Sequence, residues 1–192
     1  MAPSTPIPVD SKCNFSDICE DRTYFISASL GTSQVTGDKW AIQELQKSPR
    51  RLFQRPDADY LTYDADRTAL SGTGGTLVLG KITNAGFNFA VTSTWRSPGF
   101  ELNDVGFLRS GNNFLQDVWL SYQIKKPFLI FRSLGAEIVQ WTGFDFGGTN
   151  IFMGGNLGMN MEFKNFWSFG FDVSRERQGI SSAEFRGGPS MI

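Results

Sequence analysis

The sequence predicts an all-β fold: an antiparallel up-and-down transmembrane β-barrel, a partial barrel of about seven to eight strands with long external loops. Three observations carry this. Strand-length stretches alternate apolar and polar residues with period two. The connections between them alternate between tight and long. Aromatics and glycine are abundant, with 18 Phe, 5 Trp, 4 Tyr and 21 Gly in 192 residues. The clearest stretch is 166–174. Trp167, Phe169, Phe171 and Val173 fall on one face, and Ser168, Gly170, Asp172 and Ser174 on the other. One greasy and one polar face per strand is what a barrel wall in lipid requires.

Composition narrows the function classes. Mean hydropathy is -0.22, and no apolar run approaches the roughly 18 residues of a transmembrane helix. Outer-membrane barrels are also polar on average, since only alternate strand residues meet lipid. Net charge is -1, and no basic cluster with interleaved aromatics points to nucleic acid. Histidine is absent, which removes Ser/His triads, His general bases and ordinary zinc sites. The two cysteines, Cys13 and Cys19, could pair in an oxidising compartment or remain free. Residues 1–8 lack the charged and apolar regions of a signal peptide, so the membrane reading expects a fragment of a longer precursor.

The elements follow in order. Residues 1–21 read as an irregular N-terminal segment, and 22–192 as the barrel domain. The first strand spans 22–35, with Tyr24, Ile26, Ala28 and Leu30 opposite Ser27, Ser29 and Gly31. Within the long connection 36–67, Asp38 to Lys47 predicts a short helix with Trp40, Ile42 and Leu45 apolar, capped by Gly37 or Asp38. The second strand, 68–82, is glycine-rich and ends in the turn Thr83-Asn84-Ala85-Gly86. The third, 87–96, sets Phe87, Phe89, Val91 and Trp95 against Asn88, Ala90, Thr92, Thr94 and Arg96. After the connection 97–112, the fourth strand, 113–125, groups Phe114, Val118, Leu120, Tyr122 and Ile124, while Trp119 falls on the polar face. Lys125-Lys126-Pro127 makes the next tight turn. The fifth strand, 128–142, alternates poorly because of Arg132 and Gln140, and a glycine-rich connection covers 143–150. The sixth, 151–163, opposes Met153, Leu157, Met159, Met161 and Phe163 to Gly154, Asn156, Gly158, Asn160 and Glu162. Lys164-Asn165 turns into the seventh strand, and 176–192 reads as irregular. An odd strand count and a loop-like ending, Gly187-Gly188-Pro189-Ser190-Met191-Ile192, fit a larger parent barrel.

Several motifs invite a chemical reading. Arg55-Pro56-Asp57-Ala58-Asp59, followed by Asp64, Asp66 and Arg67, offers oxygen ligands for Ca²⁺ or a sugar, but Asp–Arg pairs and Asx-turns explain it more simply. Glu101 and Asp104 resemble an acid–base pair only in composition. Ser97-Pro98-Gly99-Phe100 reads as a turn, with Gly99 permitting positive φ. Gly72-Thr73-Gly74-Gly75 lacks the Lys-Ser/Thr of a phosphate loop, and curvature of the strand accounts for its glycines. Asn156, Asn160, Glu162, Ser168 and Asp172 are the expected lumen lining. No catalytic, cofactor-binding or metal-ligating residue is assigned, and no cofactor is expected.

Three stretches carry a resemblance: Phe53-Gln54-Arg55-Pro56-Asp57-Ala58-Asp59-Tyr60, Arg96-Ser97-Pro98-Gly99-Phe100-Glu101-Leu102-Asn103-Asp104-Val105-Gly106-Phe107, and Phe185-Arg186-Gly187-Gly188-Pro189. In order and spacing they resemble the C-terminal barrel of a bacterial outer-membrane family of unassigned function. Members of that family often carry an N-terminal module resembling family-nine carbohydrate-binding modules. The resemblance implies a location in the outer membrane and the lipid bilayer as partner, with polysaccharide or other outer-membrane proteins as further candidates. The expected function is a non-enzymatic pore, transport component or surface scaffold. The alternatives are a soluble, lipocalin-like ligand-binding barrel with its aromatics turned inward, or a carbohydrate-associated outer-membrane protein. An outer-membrane hydrolase is the weakest alternative, because histidine is missing.

Overall fold

The computed structural model describes residues 11–15, 23–101 and 110–179. Eight strands and one helix follow in chain order. They are β1 (Ser11–Phe15), β2 (Tyr24–Thr36), α1 (Lys39–Lys47), β3 (Ala69–Lys81), β4 (Gly86–Arg96), β5 (Asn113–Ile124), β6 (Phe131–Phe144), β7 (Asn150–Phe163) and β8 (Ser168–Gln178). Each strand pairs antiparallel with its neighbour in sequence, giving one sheet in the order β1-β2-β3-β4-β5-β6-β7-β8. The all-β, up-and-down expectation holds. The sheet is not closed into a barrel: among the described residues, β1 and β8 each have a single partner. Every residue of β8 is exposed, as befits an unpaired edge.

Register turns the period-two pattern into two continuous faces. Ile26 lies opposite Leu79, Leu79 opposite Val91, Val91 opposite Val118, Leu120 opposite Ile138, Ile138 opposite Leu157 and Leu157 opposite Val173. This outer face is apolar and open: Leu30, Leu77, Leu79, Phe87, Tyr122, Ile138, Leu157, Phe169, Phe171 and Val173 are all exposed. The inner face carries Ser27, Ser29, Gly31, Gly72, Gly74, Thr76, Asn88, Thr94, Ser121, Glu137, Asn156 and Asp172. The hydroxyls of Thr76 and Thr94 meet across it at 3.1 Å.

Several boundaries move for physical reasons. The N-terminal segment is not wholly irregular, because β1 lies within it; Ser-Lys-Cys-Asn-Phe has no apolar alternation to signal a strand. The turn after β5 runs over 125–130, so β6 begins at Phe131 rather than at residue 128. Phe128 and Phe131 exchange backbone hydrogen bonds of 3.0 and 2.8 Å around Leu129-Ile130. Arg132 sits at a register shift between Phe131 and Ser133, which explains the poor alternation there. Phe166 and Trp167 belong to the turn before β8, with Phe166 at φ 66°. At the other end β8 reaches Gln178, beyond the expected limit. The tight/long rhythm holds through the first four connections and then fails. Residues 145–149 form a connection no longer than the turn at 125–130, because β6 and β7 extend to Phe144 and Asn150.

The buried core is small and one-sided. Phe53, Ala58, Leu61 and Leu70 form it, with Leu45 and Tyr63 packed against them. It sits between the inner face of β3 and the connection 37–68. α1 contributes Ile42, fully buried, and Gln46, whose amide exchanges hydrogen bonds of 2.8 and 3.0 Å with the backbone of Asp64. Asp38 occupies the N-cap but makes no side-chain cap bond. Trp40, one of the three apolar residues of the helix, is exposed.

Candidate functional site

The motif Arg96-Ser97-Pro98-Gly99-Phe100-Glu101 forms a strap lying on the inner face of β2 and β3. Ser97 extends the β3–β4 ladder by one step: its N–H donates to Thr73 O and its Oγ accepts from Thr73 N–H, both at 2.8 Å. A turn closes with Phe100 N–H donating to Ser97 O at 3.0 Å. Phe100, 4% exposed, then drops onto glycines. A Cβ on Gly74 would come within 2.6 Å of its ring, and one on Gly72 would overlap its backbone. These glycines are therefore clearance for the strap rather than strand curvature. Gly99 also serves by close approach, since a Cβ there would collide with the Ser71 carbonyl; positive φ is confined to other residues.

Buried charge fixes the strap from above. Arg51 donates to Phe100 O at 3.0 Å and pairs with Glu101, both side chains nearly inaccessible. Glu101 N–H donates to Ser33 Oγ at 2.8 Å, tying the strap to β2. A second network joins the three connections of this end. Arg55 donates to both Asp57 oxygens at 3.2 and 2.9 Å and lies 3.8 Å from Asp145. Burial pulls the Arg55 guanidinium down, but its bond to Asp57 and the charges of Asp57 and Asp145 outweigh this and leave it raised. Tyr60 accepts from Asn112 Nδ2 at 2.8 Å, and Asn112 Oδ1 accepts from Phe146 N–H at 3.2 Å. Desolvation of its hydroxyl, reinforced by Asp145, pushes the Tyr60 pKa up although the residue as a whole is partly exposed. Asp145 also accepts from Thr149 N–H at 2.8 Å, which shapes its own loop.

The inner face of β5–β8 is built differently. Trp119 Nε1–H donates to Glu137 at 3.3 Å and Trp141 Nε1–H to Glu176 at 2.8 Å. Asn156 donates to both Asp172 oxygens at 2.7 and 2.8 Å. Arg132 pairs with Glu162 at 2.8 Å. Asn156, Asn160, Glu162, Ser168 and Asp172 thus share one face, as the alternation requires.

The acidic motifs resolve into structural bonds. Asp57 pairs with Arg55, and Asp64 Oδ1 accepts from Asp66 N–H at 2.9 Å in an Asx-turn. Asp66 also meets Lys39 at 2.7 Å. Glu101 is committed to Arg51, and Asp104 lies outside the described residues. No group of three or more metal-ligating side chains forms among the described residues. Sequence reasoning did not single out Arg51, Asn112, Trp141 or Asp145, and met Tyr60 only as the end of the Phe53–Tyr60 stretch. One usable signal for the strap was present: Gly72 and Gly74, two residues apart on the polar face, leave room for something to lie there.

Fold and site define a class: a single antiparallel meander with an open apolar face and a polar face half covered by its own loops. The chain belongs to the family described as a domain of unknown function (DUF5916), which matches residues 27–182. No curated protein and no solved structure matches the chain.

Proposed function

We propose that this chain is part of the wall of an outer-membrane β-barrel acting as a pore, transport component or surface scaffold, with the lipid bilayer as its principal partner. The single observation that carries this is the exposed, mainly apolar face that spans the seven long strands and is interrupted by Gln116, Gln140, Arg175 and Arg177 toward the strap end. In water such a face costs about 25 cal/mol per Å² of apolar surface; in lipid it is the surface that belongs outside. Strands of 11–14 residues exceed the roughly 9–11 that a tilted strand needs to cross the hydrocarbon layer. Aromatics gather at the tight-turn end, where Phe131 stacks on Phe128 and Phe163 at 5.5 and 5.1 Å beside Lys125, Lys126 and Lys164. Aromatic rings with flanking lysines suit the membrane–water interface. On this reading the edges of β1 and β8 are paired by further strands, since unpaired backbone groups are not tolerated in lipid.

The test is detergent dependence. The membrane reading expects aggregation without detergent, and heat-modifiable gel migration after folding into it. A monodisperse, β-folded chain in plain buffer sinks the reading and favours the soluble ligand-binding alternative.

A further inference from the structure

The inner face over β5–β7 carries a cluster of large apolar side chains. Leu115, Trp119, Val139, Trp141 and Phe152 all lie there by register. Two of the rings lie against glycines: a Cβ at Gly154 would come within 2.7 Å of Trp141 Cζ2, and one at Gly143 within 2.7 Å of Phe152 Cζ. Both indole N–H groups are already bonded to Glu137 and Glu176, which sets the indoles' orientation. The charge around this patch is mainly negative, with Arg96, opposite Asn113 at the end of β4, the cation that shares the face. Asp117, Glu137, Asp172 and Glu176 share the inner face, whereas Arg175 and Arg177 fall on the outer face opposite Gly155 and Met153. Arg132 is engaged by Glu162.

We propose that this patch binds an amphipathic organic cation, its apolar body on Trp119, Trp141 and Phe152 and its ammonium or guanidinium group among Asp117, Glu137 and Glu176. Charge complementarity selects the occupant. Carboxylates around aromatic rings repel an anion, and a neutral ring compound gains nothing from four of them. A cation gains from both, by Coulomb attraction and by cation–π contact with the indole faces. Among the described residues, the site lies clear of the strap, which rests on β2 and β3. It does not depend on the membrane reading, which decides only where such a ligand comes from.

The test uses the full chain, in whatever buffer or detergent keeps it monodisperse, titrated with benzyltrimethylammonium. Tryptophan fluorescence and calorimetry are read together. Saturable binding is expected, weakening as salt rises, with benzyl alcohol and benzenesulfonate binding far more weakly. E137Q/E176Q keeps an acceptor for each indole N–H and should retain the strand circular dichroism while weakening binding about tenfold. W141F should remove much of the fluorescence response. The proposal is overturned by absence of saturable binding, by equal binding of the neutral or anionic probe, by insensitivity to salt, or by an E137Q/E176Q chain that binds as before.

Discussion

The two halves of the inner face obey opposite rules. Under the strap, β2 and β3 present Ser29, Gly31, Ser33, Gly72 and Gly74, and the volume they forgo is filled by Phe100. On β5–β8 the same face presents Trp119, Glu137, Trp141, Asp172 and Glu176, and no described loop lies on it. Side-chain size thus marks where the strap covers the face and where, among the described residues, nothing does. The covered half is held by buried ion pairs. The bare half is held by hydrogen bonds between exposed strand residues, which cost little to rearrange.

Substitutions can break this contrast, and the largest effect belongs to the covered half. Gly72→Val places a branched side chain where the Phe100 backbone runs, and should destabilise the protein by about 4 kcal/mol; denaturant unfolding of the folded, solubilised chain measures it. Glu101→Gln leaves the Arg51 guanidinium buried without its counter-charge, at a cost of about 3 kcal/mol. Limited proteolysis should then cut within 97–101, which the parent resists.

A pH experiment sharpens the same half. The raised Tyr60 pKa means that the folded state holds the phenol proton more tightly than the unfolded state. Its contribution is complete below the ordinary tyrosine value of 10.0. It is lost as pH climbs past that value toward the folded one, because the unfolded chain ionises first. Tyr60→Phe should therefore lose less stability between neutral and strongly alkaline pH than the parent, as thermal melts at stepped pH would show. The smallest effect belongs to the bare half. Gly170→Ala meets only an ordinary 3.5 Å contact with Met159 O and should change stability by less than about 0.5 kcal/mol. A large loss there would mean that this half is also covered.

Strand existence was legible because every long strand alternates over at least part of its length, and α1 because Ile42 and Leu45 recur at helical spacing. Trp119 was assigned to the polar face from period alone, and its bond to Glu137 gives the reason. The strap was not legible. Ser33 and Glu101 are 68 positions apart, and no local pattern distinguishes a glycine that clears space from one that relieves curvature. Closure was not legible either, since it depends on two edges that alternation does not describe. β1 was missed because its five residues lack an apolar face.

The glycines beneath Phe100 also bear on how the strands find their alignment. A one-residue slip of β3 against its neighbours would turn Ser71, Thr73 and Gly75 inward in place of Gly72 and Gly74, and Thr73 would fill the space the ring needs. Phe100 can seat only when β2, β3 and β4 have met in one register, so the strap acts as a gauge of strand alignment. It belongs among the late steps of assembly, because Gly31 and Phe100 are brought together only after the long connection has closed.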